Sequence, residues 1–379
     1  MENKFDVILI GGGLAGLTAA ILLSRQKKKV LVIEKKTYPF HKVCGEYVSN
    51  EVLPFLRSMG FDPFDYGATS ISRLRISTPS GKNIYSPLGL GGFGLSRFKM
   101  DDALYKIALK SGAEIIAGVK ATNTQFNDNV FSVETNNGET FSSQLVIGCY
   151  GKRDTLDKKL QRGFIQSRTH YMGVKYHVKT DYPSDEVGLD NFKGGYCGIV
   201  KIENQQYNLC YLYKRDKNDH FNNIKDIEEQ VLFRNPVIKQ IFSNAEFVNT
   251  EPFVINEISF AAKSQVQNHI FMCGDSAGLI TPLCGNGMSM AIHAAKLLSE
   301  LILDNVKFDK NPLTATERSL LEINYQKIWE KHFGRRLFLG RTIQKLFGNP
   351  VITELSVRSV HHIPKLERWL IESTHGTVF

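Results

Sequence analysis

The sequence predicts an α/β fold, in which a Rossmann-like dinucleotide-binding domain carries an inserted antiparallel β-sheet domain and a helical C-terminus. A strand–glycine–helix–strand pattern occupies Phe5–Glu34, and a strand, turn and helix of the same kind return at 269–303. Between them lie short segments with the period-two alternation of half-buried strands. We therefore expect a discontinuous cofactor domain (1–70, 95–165 and 265–310), a substrate domain (71–94 and 166–264) and a C-terminal helical segment (311–379).

The first unit predicts a dinucleotide site. The apolar run Phe5–Ile10 is typical of a buried strand, and G-x-G-x-x-G spacing follows at Gly11, Gly13 and Gly16. In such a unit the glycines allow a tight turn, the approach of a pyrophosphate and close helix–strand packing. The helix N-terminus offers N–H groups to phosphates, and Glu34 can accept hydrogen bonds from a ribose. An ordinary βα turn would explain the glycines but not the full order of elements.

The following elements are expected from local patterns. A loop spans Lys35–Gly45, and helices are expected at Val48–Met59 and Asp101–Ser111, with a glycine-rich approach at Gly89–Gly94 before the second helix. Short strands are expected at Ile71–Thr78, Asn83–Ser86, Glu114–Ile116, Lys120–Gln125, Val130–Thr135, Thr140–Ser142 and Gln144–Gly148. A second, largely antiparallel sheet is expected from Tyr171–Thr180, Gly195–Ile202, Gln206–Tyr213 and Val248–Ala261, with helices at Ile224–Phe233 and Pro236–Phe242.

Composition limits the classes of function. The chain has 379 residues, 42% hydrophobic and 22% charged, as expected for a folded protein. Its net charge of +9 comes without a nucleic-acid-binding motif, so we expect a solvated basic surface and no nucleic acid partner. That charge could instead attract NADPH, a carrier-bound substrate or acidic lipid. The 6 scattered cysteines predict neither a disulfide framework nor a metal site.

Hydropathy predicts where the protein works. No apolar run approaches the roughly 20 residues that cross a bilayer, and a core strand begins within the first few residues. We therefore expect a cytoplasmic protein without a signal peptide or transmembrane segment. The stretch from Phe333 to Phe347 mixes cations with large apolar residues. It could contact a membrane surface peripherally, or pack on the cofactor domain with a solvated basic face, which we favour.

A second motif lies in the returning unit. Gly274-Asp275-Ser276-Ala277-Gly278 is followed by Pro282 and by Gly285-Asn286-Gly287-Met288. An aspartate at a strand end can bind a sugar-alcohol hydroxyl, and a turn that enters a helix presents N–H groups to developing negative charge. An ordinary strand-to-helix turn is the alternative.

Residues 11–16, Glu34, Ser96-Arg97 and 274–288 together resemble a class of FAD-dependent GR2-type flavoproteins, over about residues 1–305. The class includes p-hydroxybenzoate hydroxylase-like monooxygenases, geranylgeranyl reductases and flavin-dependent halogenases. The resemblance implies FAD, with its phosphates at Gly13–Ala15, its ribityl chain near Asp275 and its ring by Gly285–Met288. The implied cofactor-binding residues are Gly11, Gly13, Leu14, Ala15, Gly16, Glu34, Lys35, Cys44, Gly45, Arg97, Val119, Gly274, Asp275, Pro282, Gly285, Asn286, Gly287 and Met288.

Two segments bear on the reductant and the chemistry. Gly148–Asp157 keeps the glycines of the family's D-G motif but not its acid, serine and arginine, and no second G-x-G-x-x-G exists. NAD(P)H is therefore expected to bind only transiently. Lys42-Val43-Cys44-Gly45-Glu46 resembles the K-x-C-G motif of geranylgeranyl reductases. Cys44 is the candidate catalytic residue, because a loop cysteine beside cations can have a lowered pKa; it could equally be a small packing residue.

Substrate-side signals are sparse. Tyr196 matches the tyrosine of a reductase motif whose tryptophan and proline are missing, and the halogenase W-x-W-x-I-P motif is absent from the sequence. His170, His177 and His293 are expected to be hydrogen-bonded structural histidines. We expect an FAD-dependent oxidoreductase, first a NAD(P)H-driven monooxygenase acting on an apolar or aromatic small molecule through a flavin C4a-hydroperoxide. The alternatives are C=C reduction of a prenyl-type lipid and flavin binding without catalysis.

Overall fold

Two β-sheets organise the computed structural model, which describes residues 3–166, 170–216, 219–281, 285–309, 312–346, 353–354, 373 and 376–379. The strands are β1 Lys4–Ile10, β2 Val30–Glu34, β3 Tyr47–Ser49, β4 Thr69–Ser77, β5 Asn83–Gly94, β6 Glu114–Ala117, β7 Ala121–Asn127, β8 Val130–Thr135, β9 Thr140–Gly148, β10 Tyr171–Lys179, β11 Glu186–Phe192, β12 Gly195–Lys201, β13 Tyr207–Lys214, β14 Glu246–Phe247, β15 Phe253–Ile258, β16 Val266–Gln267 and β17 Ile270–Met272. The α-helices are α1 Leu14–Arg25, α2 Leu53–Ser58, α3 Arg97–Lys110, α4 Thr155–Lys159, α5 Ile224–Gln230, α6 Pro236–Ser243, α7 Gly287–Asn305, α8 Ala315–Trp329 and α9 Arg335–Leu346.

Sheet A has the strand order β16-β17-β9-β1-β2-β6, and β7 and β8 extend from β9 as an antiparallel meander. Strands β17, β9, β1, β2 and β6 run parallel. β1 and β2 are almost wholly buried, which explains their continuous apolar runs. Because parallel strands end at the same edge, the residues after β1, β2, β9 and β17 meet there, where open α/β sheets bind ligands.

Sheet B has the order β14-β10-β13-β12-β11-β4-β5-β3, with β15 paired to β10. Its pairings are antiparallel except for the parallel pair β4–β11. The outer face of β10, β12 and β13 packs against residues of α5 and α6 in one apolar cluster. The opposite, inner face is therefore the one that can turn towards sheet A.

Several expectations about local structure were wrong. Tyr47–Ser49 is a strand and only Leu53–Ser58 is α-helical in the segment where one helix was expected. Gly89–Gly94 belongs to β5, because it pairs with β3 and β4. A single strand, β9, replaces the two expected at 140–148, and β11 was missed. In each case the strand is defined by pairing with residues distant in the sequence, and local sequence patterns do not record such pairing.

Residues 315–346 of the C-terminal segment are helical, as expected, whereas residues 376–379 are not. α8 continues through a π-helical turn at Glu330–Gly334 into α9. Tyr325, Trp329 and Phe333 are buried in the same core cluster as α1 and α7, so this segment packs on sheet A's helices. Within the described residues, no helix combines the length and apolarity needed to cross a bilayer.

Candidate active site

One cavity of about 900 Å³ lies between the carboxyl edge of sheet A and the inner face of sheet B. That volume is near the upper end of the roughly 300–1,000 Å³ usual for ligand pockets. The lining contains most of the predicted cofactor residues, namely Gly11, Gly13, Leu14, Ala15, Glu34, Lys35, Cys44, Gly45, Arg97, Gly274, Asp275, Gly285, Asn286, Gly287 and Met288. Gly16 and Val119 lie outside the lining, and Pro282 lies outside the described residues.

The turn after β1 requires glycine at two positions. A Cβ on Gly11, whose φ is +106°, would lie 2.5 Å from the carbonyl oxygen of Cys149. A Cβ on Gly16 would lie 2.0 Å from the carbonyl oxygen of Gly11, so α1 packs directly on this turn. Gly13 is the N-cap of α1 and has no side chain, so nothing of its own covers the first N–H groups of the helix.

Two cations face the same turn. Asp101 is fully buried and binds Arg97 through two hydrogen bonds of 2.7 and 2.8 Å and Lys42 through one of 2.9 Å. Burial alone would raise the pKa of Asp101, but the charges of Arg97 and Lys42 outweigh it and lower the pKa. A Cβ on Gly13 would lie 3.2 Å from the Lys42 Nζ and 3.7 Å from an Arg97 nitrogen. The arrangement can therefore bind an anion beside the start of α1.

Glu34 lines the cavity at the end of β2 and is 5% exposed. One carboxylate oxygen accepts a 2.7 Å hydrogen bond from the Gly12 N–H, and the other a 3.0 Å bond from the Lys36 N–H. Each carboxylate oxygen can accept a further hydrogen bond. The side chain is thus fixed by backbone donors and can still bind hydroxyl groups.

The second motif forms a braced turn at the end of β17. The Lys263 ammonium donates 2.8 Å hydrogen bonds to the carbonyls of Asp275 and Lys152, and Arg162 donates a 2.9 Å bond to the carbonyl of Ser276. Gly151 N–H donates to the Ser276 hydroxyl oxygen at 2.9 Å. Burial lowers the pKa of Lys263 to about 8. The segment that departs from the family's D-G motif therefore supports the turn that carries Asp275.

α7 begins where the second motif meets the cavity. Gly285, whose φ is +63°, precedes the N-cap Asn286, and the 19-residue helix starts at Gly287. All three residues, with Met288, line the cavity. The positive end of the α7 dipole therefore lies at the cavity.

The loop around Cys44 is held by sheet B. Lys175 Nζ on β10 donates to the carbonyl of Lys42 at 3.2 Å, and Asn208 Nδ2 on β13 donates to the carbonyl of Gly45 at 2.9 Å. Glu46 is fully buried and binds Lys175 at 2.5 Å and His177 Nε2 at 2.8 Å. Cys44 itself is partly buried and lines the cavity.

Sequence reasoning missed Lys175 and Asn208, because they lie well over 100 residues from the loop they bind. One signal was available: Lys175 and His177 interrupt the apolar β10 sequence YMGVKYHVK at alternating positions, on one face of a strand. His177 is hydrogen-bonded, as expected for a structural histidine. His293 is buried and its imidazole stacks on the ring of Phe379 at 3.9 Å.

The far part of the cavity is apolar. Tyr196 and Leu212 share one register row of sheet B, and Leu189, Gly198 and Cys210 share the next. A Cβ on Gly198 would meet its nearest atoms at 3.7–3.8 Å, so this position leaves a shallow recess in the sheet. The apolar lining residues of this part are Leu74, Leu88, Val187, Leu189, Val200, Leu212, Ile258 and Leu279, together with the rings of Tyr47 and Tyr196.

Comparison with known proteins gives the family context. Residues 9–79 match the family model described as a NAD(P)-binding Rossmann-like domain. The chain is 23% identical to conditioned medium factor receptor 1 of Dictyostelium discoideum, over 93% of this chain and 73% of that protein. It is 22% identical to a menaquinone reductase of Mycobacterium tuberculosis, over 95% and 89% respectively. It is 24% identical to digeranylgeranylglycerophospholipid reductase 2 of Methanopyrus kandleri, over 93% and 89%.

Solved structures share the whole fold. A flavin-dependent brominase superposes with a TM-score of 0.79 at 18% identity, covering 99% of this chain and 94% of the other. The p-nitrophenol 4-monooxygenase of Pseudomonas putida superposes with a TM-score of 0.76 at 14% identity, covering 99% of both chains. At these identities the likeness concerns the fold.

Together, these comparisons support the resemblance to the superfamily of p-hydroxybenzoate hydroxylase-like and geranylgeranyl reductase-like FAD-dependent oxidoreductases. The resemblance expected from residues 11–16, Glu34 and 274–288 is thereby confirmed, and so is the α/β fold class.

The residues of this flavoprotein fit a flavin dinucleotide. Three features can bind a pyrophosphate: the glycine turn after β1, the uncovered N-terminus of α1, and the cations Lys42 and Arg97. Glu34, Asp275 and the α7 N-terminus all line the same cavity. Among the described residues, no group of three or more His, Cys, Asp or Glu side chains is placed to hold a metal. The arrangement therefore suits flavin chemistry in an apolar pocket.

Proposed function

We propose that this flavoprotein reduces C=C bonds of a prenyl-type lipid, the second of the two reactions considered from the sequence. The observation that carries the proposal is the aliphatic wall of the cavity. Leucine, isoleucine and valine side chains supply most of the lining on sheet B. Such a surface suits a branched hydrocarbon chain, whereas a phenolic substrate needs polar groups that fix its hydroxyl. The names of two relatives, a menaquinone reductase and a digeranylgeranylglycerophospholipid reductase, support the same class.

The chain's own residues have three tasks in this reaction. A bound reduced flavin supplies the hydride. The aliphatic wall binds the prenyl chain and excludes water, so that the reacting bond lies in a dry pocket. The α7 N-terminus would stabilise negative charge on the cofactor. Cys44, on the cavity wall, is the proposed catalytic residue, and its thiol would donate the proton that, with the hydride, completes the addition to the double bond.

Cys44→Ser tests that role, because it exchanges a thiol for a hydroxyl of similar size. We expect a reductase that uses the thiol to lose activity or to change its product while it retains FAD. Full activity with FAD retained would assign Cys44 to packing alone.

Monooxygenation of an apolar aromatic compound is the second candidate. The rings of Tyr47 and Tyr196 on the cavity wall favour it, because they offer aromatic surface for an electron-rich ring. In either reaction we propose NAD(P)H as a transient reductant. Lys35, Arg153 and Lys158 line the cavity on the sheet A side and could attract its phosphates.

One experiment separates the two reactions. The purified protein is reduced by light, which avoids the question of the natural donor, and is mixed without oxygen with geranylgeraniol or geranylgeranyl diphosphate. Reoxidation of the flavin and a product heavier by two hydrogens, with no oxygen incorporated, is the expected result. No anaerobic reoxidation by either probe, together with incorporation of ¹⁸O₂ into an aromatic test substrate such as a phenol, would overturn the reductase proposal.

A matched pair of variants ties that result to the cavity. Gly198→Phe fills the recess in sheet B, and we expect it to abolish reoxidation by the prenyl probe while FAD stays bound. Gly163→Phe makes the same exchange outside the lining, where a Cβ meets nothing within 4 Å, and should leave the rate unchanged. Equal loss in both variants would point to general damage and not to a blocked pocket.

We also propose that the protein binds a membrane surface, from which it takes up the prenyl lipid. Leu320, Ile323 and Phe338 are 58%, 46% and 72% exposed. Cations lie between them in the sequence, spaced so that they fall on the same side of the helical segment. These cations are Lys327, Lys331 and Arg335. We expect flotation with vesicles that contain anionic phospholipid and not with zwitterionic ones, and loss of flotation in Phe338→Ser. Equal recovery with both vesicle types would exclude the charged face as the cause.

A further inference from the structure

A buried ionic cluster joins the end of the Cys44 loop to strand β10 of sheet B. We call Glu46, Lys175 and His177 the inner network. Glu46 and Lys175 are fully buried and His177 is 4% exposed. Glu46 lies between the loop and β3, the edge strand of sheet B, whereas Lys175 and His177 project from β10 of the same sheet. The network therefore connects the end of the Cys44 loop with β10.

The same elements also bind the backbone of the loop. Lys175 holds the carbonyl of Lys42, Lys152 Nζ holds that of Val43 at 3.3 Å, and Asn208 holds that of Gly45. The Glu46 carboxylate additionally accepts a 2.7 Å hydrogen bond from the Arg97 N–H. Carbonyls on both sides of Cys44 and the carboxylate after it are thus fixed by four different elements of the chain.

The opposite side of this loop is open to the cavity. A Cβ on Gly45 would meet no atom within 4 Å, and Cys44, Gly45 and Glu46 all line the cavity. In the part of the chain that the structure describes, the N–H groups of Cys44 and Gly45 have no protein acceptor. Because this loop lines the cavity, these N–H groups remain available to a ligand there.

The cost of burying these charges suggests that the network has a use beyond stability. A buried ion pair contributes little net stability compared with an apolar pair of the same volume. Here Glu46 and Lys175 carry opposite charges beside the part of the cavity that Asp275 and the α7 N-terminus also line. Their charges act through a medium of low dielectric constant, so removal of either is felt over several ångströms.

We propose that Glu46, Lys175 and His177 are positioning residues that hold the Cys44–Gly45 backbone against the flavin, and that their paired charges balance the electrostatic potential at the ring. The proposal depends on flavin binding but not on which reaction the flavin then performs. A failure of the reductase proposal therefore leaves it unaffected.

Because Glu46 and Lys175 carry opposite charges, removing each charge should shift the flavin midpoint potential in the opposite direction. Glu46→Gln leaves Lys175 as an unbalanced cation, which stabilises the more negative reduced flavin and raises the midpoint potential. Lys175→Met leaves the Glu46 carboxylate, which lowers the potential. The double variant Glu46→Gln/Lys175→Met removes both charges and should return close to the wild-type value. Potentials are measured at pH 8 on FAD-loaded protein against a reference dye.

The control is another buried ion pair in the same sheet. Arg75 and Asp190 are joined at 2.6 Å and neither lines the cavity. Asp190→Asn should lower the thermal midpoint of unfolding without moving the flavin potential. Potentials that shift in the same direction in Glu46→Gln and Lys175→Met, or that match Asp190→Asn, would overturn the proposal. If Lys175→Met does not fold, the upward shift expected from Glu46→Gln decides by itself, because a purely structural role predicts none.

Discussion

Sheet B carries two buried ionic clusters on opposite faces. The inner network connects Glu46 with β10 across 129 residues of sequence and lies on the cavity side. The outer network connects Arg75 on β4 with Asp190 on the neighbouring strand β11 through two hydrogen bonds of 2.6 and 2.9 Å. Both consist of fully or almost fully buried charges, so the same desolvation cost applies to each.

The partners of the outer network lie within the second sheet and its helices. Asp190 also accepts a 2.6 Å hydrogen bond from the Ser77 hydroxyl, and Tyr182 contacts Arg75 at 3.2 Å. Asn235, the N-cap of α6, donates to Ser77 and to two backbone carbonyls. This cluster fixes β4, β11 and α6 to one another and contacts neither the loop at Cys44 nor the cavity. Similar interactions thus stabilise a domain in one place and shape a cofactor site in the other.

The largest expected effect comes from breaking each ion pair. Lys175→Met and Asp190→Asn each leave a buried charge without its main partner, and each should lower the free energy of unfolding by about 3–5 kcal/mol. Added FAD separates them, because at a given concentration a ligand stabilises the folded state more, the more tightly it binds. Chemical denaturation with and without FAD should show a normal FAD-dependent gain for Asp190→Asn and a reduced one for Lys175→Met. Equal gains would mean that the two networks do not differ.

A pH effect is expected on the inner side. Burial, and then the charge of Lys175, lower the pKa of His41 from 6.5 to about 4, and its ring lies 5.2 Å from that of His177. The unfolded chain therefore takes up a proton first, and stability should fall as the pH drops from 6.5 to 4. The charges of Lys175 and His177 overcome burial and lower the pKa of Glu46 from 4.5 to about 2, so its contribution is lost from pH 4.5 downwards.

His41→Phe checks the first of these windows. The phenyl ring can keep the contacts with Phe98 and Phe253, whose centroids lie 4.6 and 4.8 Å from that of His41. Urea denaturation between pH 7 and 4 should then show a shallower loss of stability than in the wild type. His293, whose pKa burial lowers to about 3, still titrates in the variant, so part of the slope remains. An unchanged slope would assign the acid sensitivity elsewhere.

Replacing the uncharged asparagines at the two faces of sheet B should lower the free energy of unfolding by less than breaking the ion pairs does. Asn235→Ala removes three donated hydrogen bonds and the cap of α6 and should cost about 2–3 kcal/mol. Asn208→Ala removes the 2.9 Å bond to Gly45 and should cost about 1 kcal/mol. Only Asn208→Ala should shift the visible absorption bands of the bound flavin, because only it loosens the loop. A flavin spectrum altered by Asn235→Ala would break the distinction between the faces.

The smallest effect provides the baseline. Lys179 lies on β10 like Lys175, but its side chain is 54% exposed and it pairs with Glu246 at 3.2 Å in solvent. Lys179→Met should change the free energy of unfolding by less than about 1 kcal/mol, since solvent screens such pairs. A thermal midpoint lowered as far as in Lys175→Met would show that the loss comes from the strand and not from burial of the charge.

Some residues of the candidate site were predicted from local sequence patterns and others only from resemblance, and not all of the predicted residues line the cavity. Gly11, Gly13 and Glu34 belong to one contiguous βαβ unit, whose spacing alone determines that they meet. Cys44 and Arg97 were placed by resemblance, and both line the cavity. Val119 does not line it, although its N–H donates to the carbonyl of Glu34 at 3.1 Å. The strands β3 and β11 were missed, because β3 is only three residues long and β11 buries Glu186, Asp190 and Asn191 in place of an alternating apolar pattern.

The sequence by itself determined the elements whose pattern is local: the glycine turn, α1, strands β1 and β2 and the start of α7. Their residues interact over a few positions, and hydrophobic periodicity and glycine spacing record such interactions directly. The tertiary structure alone decided which face of sheet B became the cavity wall and that Lys175 and Asn208 hold the Cys44 loop. A buried cation acquires its partner from strand register and domain packing, which bring together residues more than a hundred positions apart.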